Sequence, residues 1–212
     1  MPNPFHGVYA ITDETLLPGA QLQTAVEQAL QAGLGLLQYR NKKLPWQARC
    51  DEAARLLTLC RRYNTPLLIN DDVDLCLESG ADGVHLGQGD TKLVEARQRL
   101  GTQALIGITC HSDLQLALQA QDKGADYVAF GRFFPSATKP NAPPASIDVL
   151  RAARKELSLP IVAIGGINAE NGGTLIDAGA NMLAVIHYLF ANPNIGARVE
   201  TLNSLFSQTI SR

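Results

Sequence analysis

The chain has 212 residues, of which 46% are hydrophobic, 18% charged and 6% aromatic, and 18 Lys+Arg stand against 20 Asp+Glu for a net charge of −2. A single compact domain of this length buries about 70% of the surface of its unfolded chain, so disorder is excluded and neither a disulfide scaffold nor a structural metal is needed. Near-neutral charge with no block of five like charges leaves no electrostatic footprint for nucleic acid or an anionic membrane surface.

The longest apolar stretches, such as 182–190 with His187 inside it, are far too short to cross a bilayer, and Met1-Pro2-Asn3-Pro4 has no basic segment leading into an apolar one. A cytoplasmic location is expected. Cys50, Cys60, Cys76 and Cys110 stand 10, 16 and 34 residues apart, which fits neither a Cys-x-x-Cys knuckle nor a disulfide framework. Free thiols in a reducing compartment are expected.

In chain order, apolar or β-branched runs predict strands over 7–12, 35–40, 66–70, 83–86, 104–109, 127–130, 161–164 and 182–186. Helical spacing covers 20–32, 46–63, 72–79, 91–100, 113–123, 146–157 and 168–178 between them, and 194–207 closes the series. Strand followed by helix throughout implies parallel pairing through crossovers. Helix ends at Ala32-Gly33, Ser79-Gly80, Lys123-Gly124 and Ala178-Gly179 recur at separations of 47, 44 and 55 residues, two strand-helix units each, and three of the four run on as Gly-Ala. Eight such units in one domain over 1–212 describe an α/β fold, a minimal (β/α)8 TIM barrel with a closed parallel sheet. A doubly wound open sheet is disfavoured because 12–19 contains no Gly-x-Gly-x-x-Gly.

In such a barrel, function collects where the strands end. There the chain places Gln38-Tyr39-Arg40-Asn41-Lys42 after strand 2, Asn70-Asp71 after strand 3, the run from His85 to Asp90 after strand 4 and Thr109-Cys110-His111 after strand 5. Arg132 to Lys139 follow strand 6, Gly165-Gly166 follow strand 7 and His187 follows strand 8. Gly165-Gly166 with the end of strand 8 fall where barrels commonly bind phosphate, because glycine lets backbone N–H groups approach an anion. Asp71 and Asp90 offer two carboxylates near Arg40, Lys42 and Lys139, a hard-oxygen set that suits Mg²⁺ with a diphosphate. The aperiodic segment 133–145, with Pro135, Pro140, Pro143 and Pro144, is expected to cover the site.

Each feature has a plainer counterpart. An Asp at a strand end can cap a helix, a role for which Asp72 is better placed than Asp71. Arg40 and Lys42 can belong to a solvated loop, and Gly165-Gly166 can be a tight turn. His85, in a buried strand, reads as a hydrogen-bonded interior histidine, and no spacing supports Cys110, His111 and His187 as a nucleophilic set. Phe133-Phe134 read as anchors of the covering segment or a stacking surface for a ligand ring.

Taken together, Gln38-x-Arg40-x-Lys42, Asn70-Asp71, Gly83-Val84-His85-Leu86-Gly87-Gln88-x-Asp90, Ile106-Gly107-x-Thr109, Ser136-x-Thr138-Lys139 and Ile164-Gly165-Gly166-Ile167 closely resemble the thiamine-phosphate synthase family, in order and from Tyr9 to about Phe190. The resemblance implies joining of 4-amino-5-hydroxymethyl-2-methylpyrimidine diphosphate to 4-methyl-5-(2-hydroxyethyl)thiazole phosphate, or its carboxylated form, with release of pyrophosphate. It implies Mg²⁺ on Asp71 and Asp90, and the pyrimidine diphosphate on Gln38, Arg40, Lys42, Asn70 and Lys139, with Tyr39 and Asn41 in the same run. Thr109 takes the place of a residue near the reacting pyrimidine, and Arg40, Lys42, Thr109 and Lys139 carry the catalytic assignment. Ser136, Ala137, Thr138, Gly165, Gly166 and the Ile186-His187 backbone would hold the thiazole phosphate. Thr109 replaces a serine and Ser136 a threonine, both keeping the hydroxyl, while His187 stands where many members carry serine. A thiazole tautomerase of the same superfamily and a non-catalytic thiamine-precursor binding or regulatory protein are the alternatives. Partners are small molecules, with a homodimer admitted because barrel exteriors often support one.

Overall fold

Side-chain alternation along eight short strands decides the architecture of the described residues, 5–135 and 143–209 of a computed structural model. The strands are β1 (Gly7–Ile11), β2 (Leu36–Tyr39), β3 (Leu67–Asn70), β4 (Gly83–Leu86), β5 (Leu105–His111), β6 (Tyr127–Phe130), β7 (Ile161–Ile164) and β8 (Met182–Val185). In β1, Tyr9 and Ile11 face the barrel interior with Leu36, Leu68, Tyr127, Ala129, Val162, Met182 and Ala184. Val8 and Ala10 face the other way, with Leu37, Tyr39, Ile69, Val84 and Phe130, into a larger apolar layer beneath the helices. A strand buried on both faces reads as a continuous apolar run, which is why periodicity of two is faint in the sequence.

All pairings are parallel, and β1 pairs with both β2 and β8, so the sheet closes in the order β1 to β8. The crossover helices are α1 (Gln21–Gln31), α2 (Trp46–Arg62), α3 (Val73–Ser79), α4 (Leu93–Leu100), α5 (Leu114–Asp122), α6 (Asp148–Glu156) and α7 (Gly172–Asp177), followed by α8 (His187–Phe190) and α9 (Ile195–Thr209). The TIM barrel inferred from the strand-helix alternation is thus present.

The recurring Gly-Ala acquires a physical meaning here. Gly33, Gly80, Gly124 and Gly179 have φ of 91°, 67°, 85° and 116°, the left-handed region in which each helix stops. Where Gly-Ala follows, the next residue is Asp82, Asp126 or Asn181, and its side-chain oxygen accepts the backbone N–H of Leu67, Ile106 or Ile161 at 2.8, 2.7 and 2.9 Å. Each repeat therefore pins the preceding strand at the barrel's N-terminal end. Helix starts are also capped: Asp72, as its place in the sequence suggests, accepts from Leu75 N (2.9 Å), and Asp113 accepts from Gln115 N (2.8 Å), each contributing about 1 kcal/mol.

Several boundaries differ from expectation. β1, β2 and β8 end one residue early, while β5 runs two residues past Thr109 through a register shift between Thr109 and His111. The helix expected over 168–178 begins only at Gly172, because Asn168 Oδ1 accepts from Glu170 N and Asn171 N and holds a turn there. The helix expected from residue 146 starts at Asp148, whose N–H is taken by Ser146 Oγ. Residues 187–190, to which the sequence pattern assigns no element, form the one-turn helix α8. The middle of the expected covering segment, 136–142, lies outside the described residues, as do Ser136, Ala137, Thr138 and Lys139.

Candidate active site

A cavity of about 880 Å³ opens at the C-terminal ends of the strands. Interior parity brings Gln38, Asn70, His85 and Thr109 to it from β2, β3, β4 and β5, and Arg40, Lys42, Asp71 and Asp90 from the loops beyond. Gly165, Gly166, Ile186 and His187 line its opposite side. Tyr39 and Asn41 are not brought there. They lie on the outward parity of the same segment, where Tyr39 Oη donates to Glu52 Oε2 at 2.7 Å and Asn41 Nδ2 to the same oxygen at 3.3 Å.

Asp71 is set by its backbone. With Asp72 committed to capping α3, Asp71 takes a left-handed φ of 63° while its N–H still bonds His85 O at 2.9 Å, and this turn aims its carboxylate along the rim. Lys42 Nζ donates to Asp71 Oδ2 at 2.9 Å. Asp90 is held from the neighbouring loop, where Gly87 N donates to Asp90 Oδ2 at 2.7 Å. The two carboxyl groups are in hydrogen-bond contact. Burial acts on Asp71, yet hydrogen bonds from Lys42, Asp90 and Asn70 hold it below the usual carboxylate range. Asp90 is pushed up, first by burial and then by Asp71, against the opposing bond from Gly87 N.

Arg40 belongs to a clamp absent from the sequence-derived site. Thr12 Oγ1 accepts Arg40 N at 2.8 Å and donates to Arg40 O at 3.2 Å, while Nη1 meets Glu14 at 3.4 Å and Asp13 at 3.6 Å. Its guanidinium is positioned before any ligand arrives. Across the cavity, Gly165 and Gly166 have φ of 106° and 66°, and a Cβ would lie 2.3 Å from Arg132 Cβ and 2.4 Å from Pro135 O respectively. Only glycine permits that approach of the β7 and β6 loops. Phe133 N and Phe134 N bond Ile164 O (3.2 Å) and Gly165 O (3.0 Å), and both rings pack against the core, so they anchor the segment.

Residues missed by sequence reasoning are Tyr9, Gln88, Arg132 and Arg198, which line the cavity, and Tyr127, which lies behind Tyr9 and His85. Gln88 Nε2 donates to Thr109 O at 2.6 Å, and Arg198 lies over the Tyr188 ring at 4.3 Å. Counting inward positions from Gln38 and Thr109 would have found Tyr9 and Tyr127; Arg198, on α9, has no such signal. All four cysteines are free and buried, and burial pushes the Cys60, Cys76 and Cys110 thiols up to about 12, so none is a nucleophile at neutral pH.

Residues 8–189 match the family model of thiamine monophosphate synthase. The chain belongs to that family. It is 52% identical over 206 residues to a thiamine-phosphate synthase of Saccharophagus degradans, covering 97% of this chain and 95% of the relative. A thiamine-phosphate synthase of Nitrosococcus oceani is 52% identical over 197 residues, 93% of this chain and 91% of its own. Among solved structures, the thiamine phosphate pyrophosphorylase of Pyrococcus furiosus superposes with a TM-score of 0.88 at 31% identity, covering 98% of each chain. Thiamine monophosphate synthase family membership thus covers nearly the whole barrel and both sides of the cavity. No helix among the described residues is long and apolar enough to cross a membrane.

Proposed function

We propose that the chain joins 4-amino-5-hydroxymethyl-2-methylpyrimidine diphosphate to 4-methyl-5-(2-hydroxyethyl)thiazole phosphate, giving thiamine phosphate and pyrophosphate. The observation that carries this reading is the convergence of Arg40, Lys42, Asp71 and Asp90 on one side of a cavity whose opposite side is a glycine turn. One side suits a diphosphate leaving group, the other a second, phosphorylated substrate.

The donor set also fits a hard divalent cation. Two carboxylates in hydrogen-bond contact repel unless a proton or a cation lies between them, and no cluster of three or more His, Cys, Asp or Glu occurs among the described residues to build a softer or fuller site. Asp71 and Asp90 would hold Mg²⁺, which supplies charge neutralisation to the diphosphate when bound. The chain's own residues do the rest. Arg40, fixed by Thr12, Asp13 and Glu14, and Lys42 meet the departing diphosphate, and Gln38, Asn70 and Thr109 orient the pyrimidine. Because an electron-rich aminopyrimidine can delocalise the positive charge left at its methylene carbon, no protein nucleophile is required. Apolar Ile11, Ala129, Val162 and Ala184 beneath the site exclude water that would trap this carbon as the alcohol. Lys139, Ser136, Ala137 and Thr138 join the ligand contacts in this reading, as do the backbones of Gly165, Gly166, Ile186 and His187. The experiment is formation of thiamine phosphate and pyrophosphate from the two purified precursors, with Mg²⁺ and with chelator. Metal-dependent production of both is expected; binding of both precursors with no turnover would refute synthase activity.

A further inference from the structure

Five cavity and core side chains from five strands form one unbroken chain of hydrogen bonds. Gln38 Nε2 donates to Tyr9 Oη at 2.6 Å, and the Tyr9 and Tyr127 hydroxyls are 2.8 Å apart. Tyr127 Oη lies 2.7 Å from His85 Nδ1, and His85 Nε2 lies 2.8 Å from Thr109 Oγ1. Both phenols are fully buried, and burial pushes both far above the ordinary phenol range, so each carries one proton. Gly107 makes the chain possible, since a Cβ there would lie 1.9 Å from Tyr127 Cζ.

The orientation of the Gln38 amide then sets, by proton counting, the direction of every other bond. With Gln38 donating, the Tyr9 proton must go to Tyr127, and the Tyr127 proton to His85 Nδ1. His85 is left as the Nε2–H tautomer, which donates to Thr109 Oγ1, so the Thr109 proton is free for the cavity. At the other end, Gln38 Oε1 accepts no hydrogen bond among the described residues and is presented to the ligand as an acceptor. Rotating the Gln38 amide would reverse all four bonds at once, and a buried chain resists that where a lone glutamine would not.

We propose that Tyr9, Tyr127 and His85 are positioning residues that lock an acceptor at Gln38 and a donor at Thr109, and that this lock selects a 4-aminopyrimidine over its 4-oxo counterpart. The inference rests on the pyrimidine-diphosphate reading of the cavity. An exocyclic amino group donates to Gln38 Oε1, whereas an exocyclic oxygen would face it acceptor to acceptor. The Thr109 hydroxyl meets an acceptor elsewhere on the same molecule. Cutting the chain at Tyr9 frees Gln38 to rotate and accommodate the oxo group.

Two measurements test this. Because the oxo ring also alters the chemistry, Kd rather than turnover is compared for the amino and oxo pyrimidine diphosphates with Mg²⁺ present. Preference for the amino compound is expected to fall at least about tenfold in Tyr9→Phe and in Tyr127→Phe, with the Kd of pyrophosphate unchanged. An unchanged preference in folded variants overturns the lock. Failure of the wild-type protein to bind the amino compound would instead sink the reading of the cavity. Independently of ligand and variant stability, nitrogen-15 NMR of the wild-type His85 ring, assigned by loss of its signals in His85→Gln, should show bare Nδ1 and protonated Nε2. The opposite tautomer, or a ring protonated at both nitrogens, refutes the polarity.

Discussion

Asp71 and Asp90 are in hydrogen-bond contact and their titrations move apart: hydrogen bonds from Lys42, Asp90 and Asn70 hold the Asp71 carboxyl down against its burial, while burial and Asp71 push Asp90 up. For stability the signs are opposite. The depressed Asp71 contributes above its unfolded value and loses that contribution as pH falls, whereas the raised Asp90 subtracts stability once pH rises past its unfolded value. Asp90→Asn keeps an oxygen for Gly87 N and removes the repulsion. At neutral pH it should hold or raise Tm, by up to about 3 °C given solvent screening of this partly exposed pair, while Mg²⁺-dependent synthesis is lost. A calorimetric scan beside a pyrophosphate-release assay decides it; lowered Tm with activity retained would contradict both halves.

The same pair sets the pH dependence of metal binding. A divalent ion competes with the proton for the raised Asp90, so Mg²⁺ affinity should weaken as pH is lowered through a range above that of an ordinary carboxylate, and binding should release protons in that window. Titration calorimetry in buffers of different ionisation enthalpy measures that release directly. Asp90→Asn should abolish it, and proton release that persists in the variant would place the proton elsewhere.

Arg40 tests the division of the cavity. Its guanidinium is held by Asp13 and Glu14 on the diphosphate side, away from the glycine turn. Arg40→Gln should weaken pyrimidine diphosphate binding by about 10- to 100-fold and leave thiazole phosphate binding within about twofold. Equal losses for the two ligands would mean that the cavity has no such division.

Strand-helix order and the Gly-Ala echo made the barrel legible, and the rim motifs were legible because strand ends in a barrel converge. What the sequence hid followed from local competition. Asn168 turns its side chain onto the backbone and delays α7, and Ile186 leaves the extended region so that a helical turn replaces the end of the eighth strand. The Thr12–Asp13–Glu14 hold on Arg40 joins residues from two loops and has no local pattern. The alternation that separates Gln38 and Arg40 from Tyr39 and Asn41 was present in the sequence. It was masked because both faces of β2 are apolar and only one is the cavity.

Tyr39 therefore supplies the sharpest check of parity. Its hydroxyl donates to Glu52 at 2.7 Å under α2, outside the barrel, and removing it leaves a nearly buried carboxylate with, among the described residues, the longer bond from Asn41 alone. Tyr39→Phe should cost about 1–3 kcal/mol of stability, a fall in Tm of roughly 2–12 °C, because a buried acceptor loses its best donor. Steady-state kcat/KM for both substrates should remain within about twofold of the wild-type value, since the ring faces the helices and does not line the cavity. A variant that keeps its Tm and loses turnover would place Tyr39 inside the site, and the inward and outward assignment of β2 would have to be reversed.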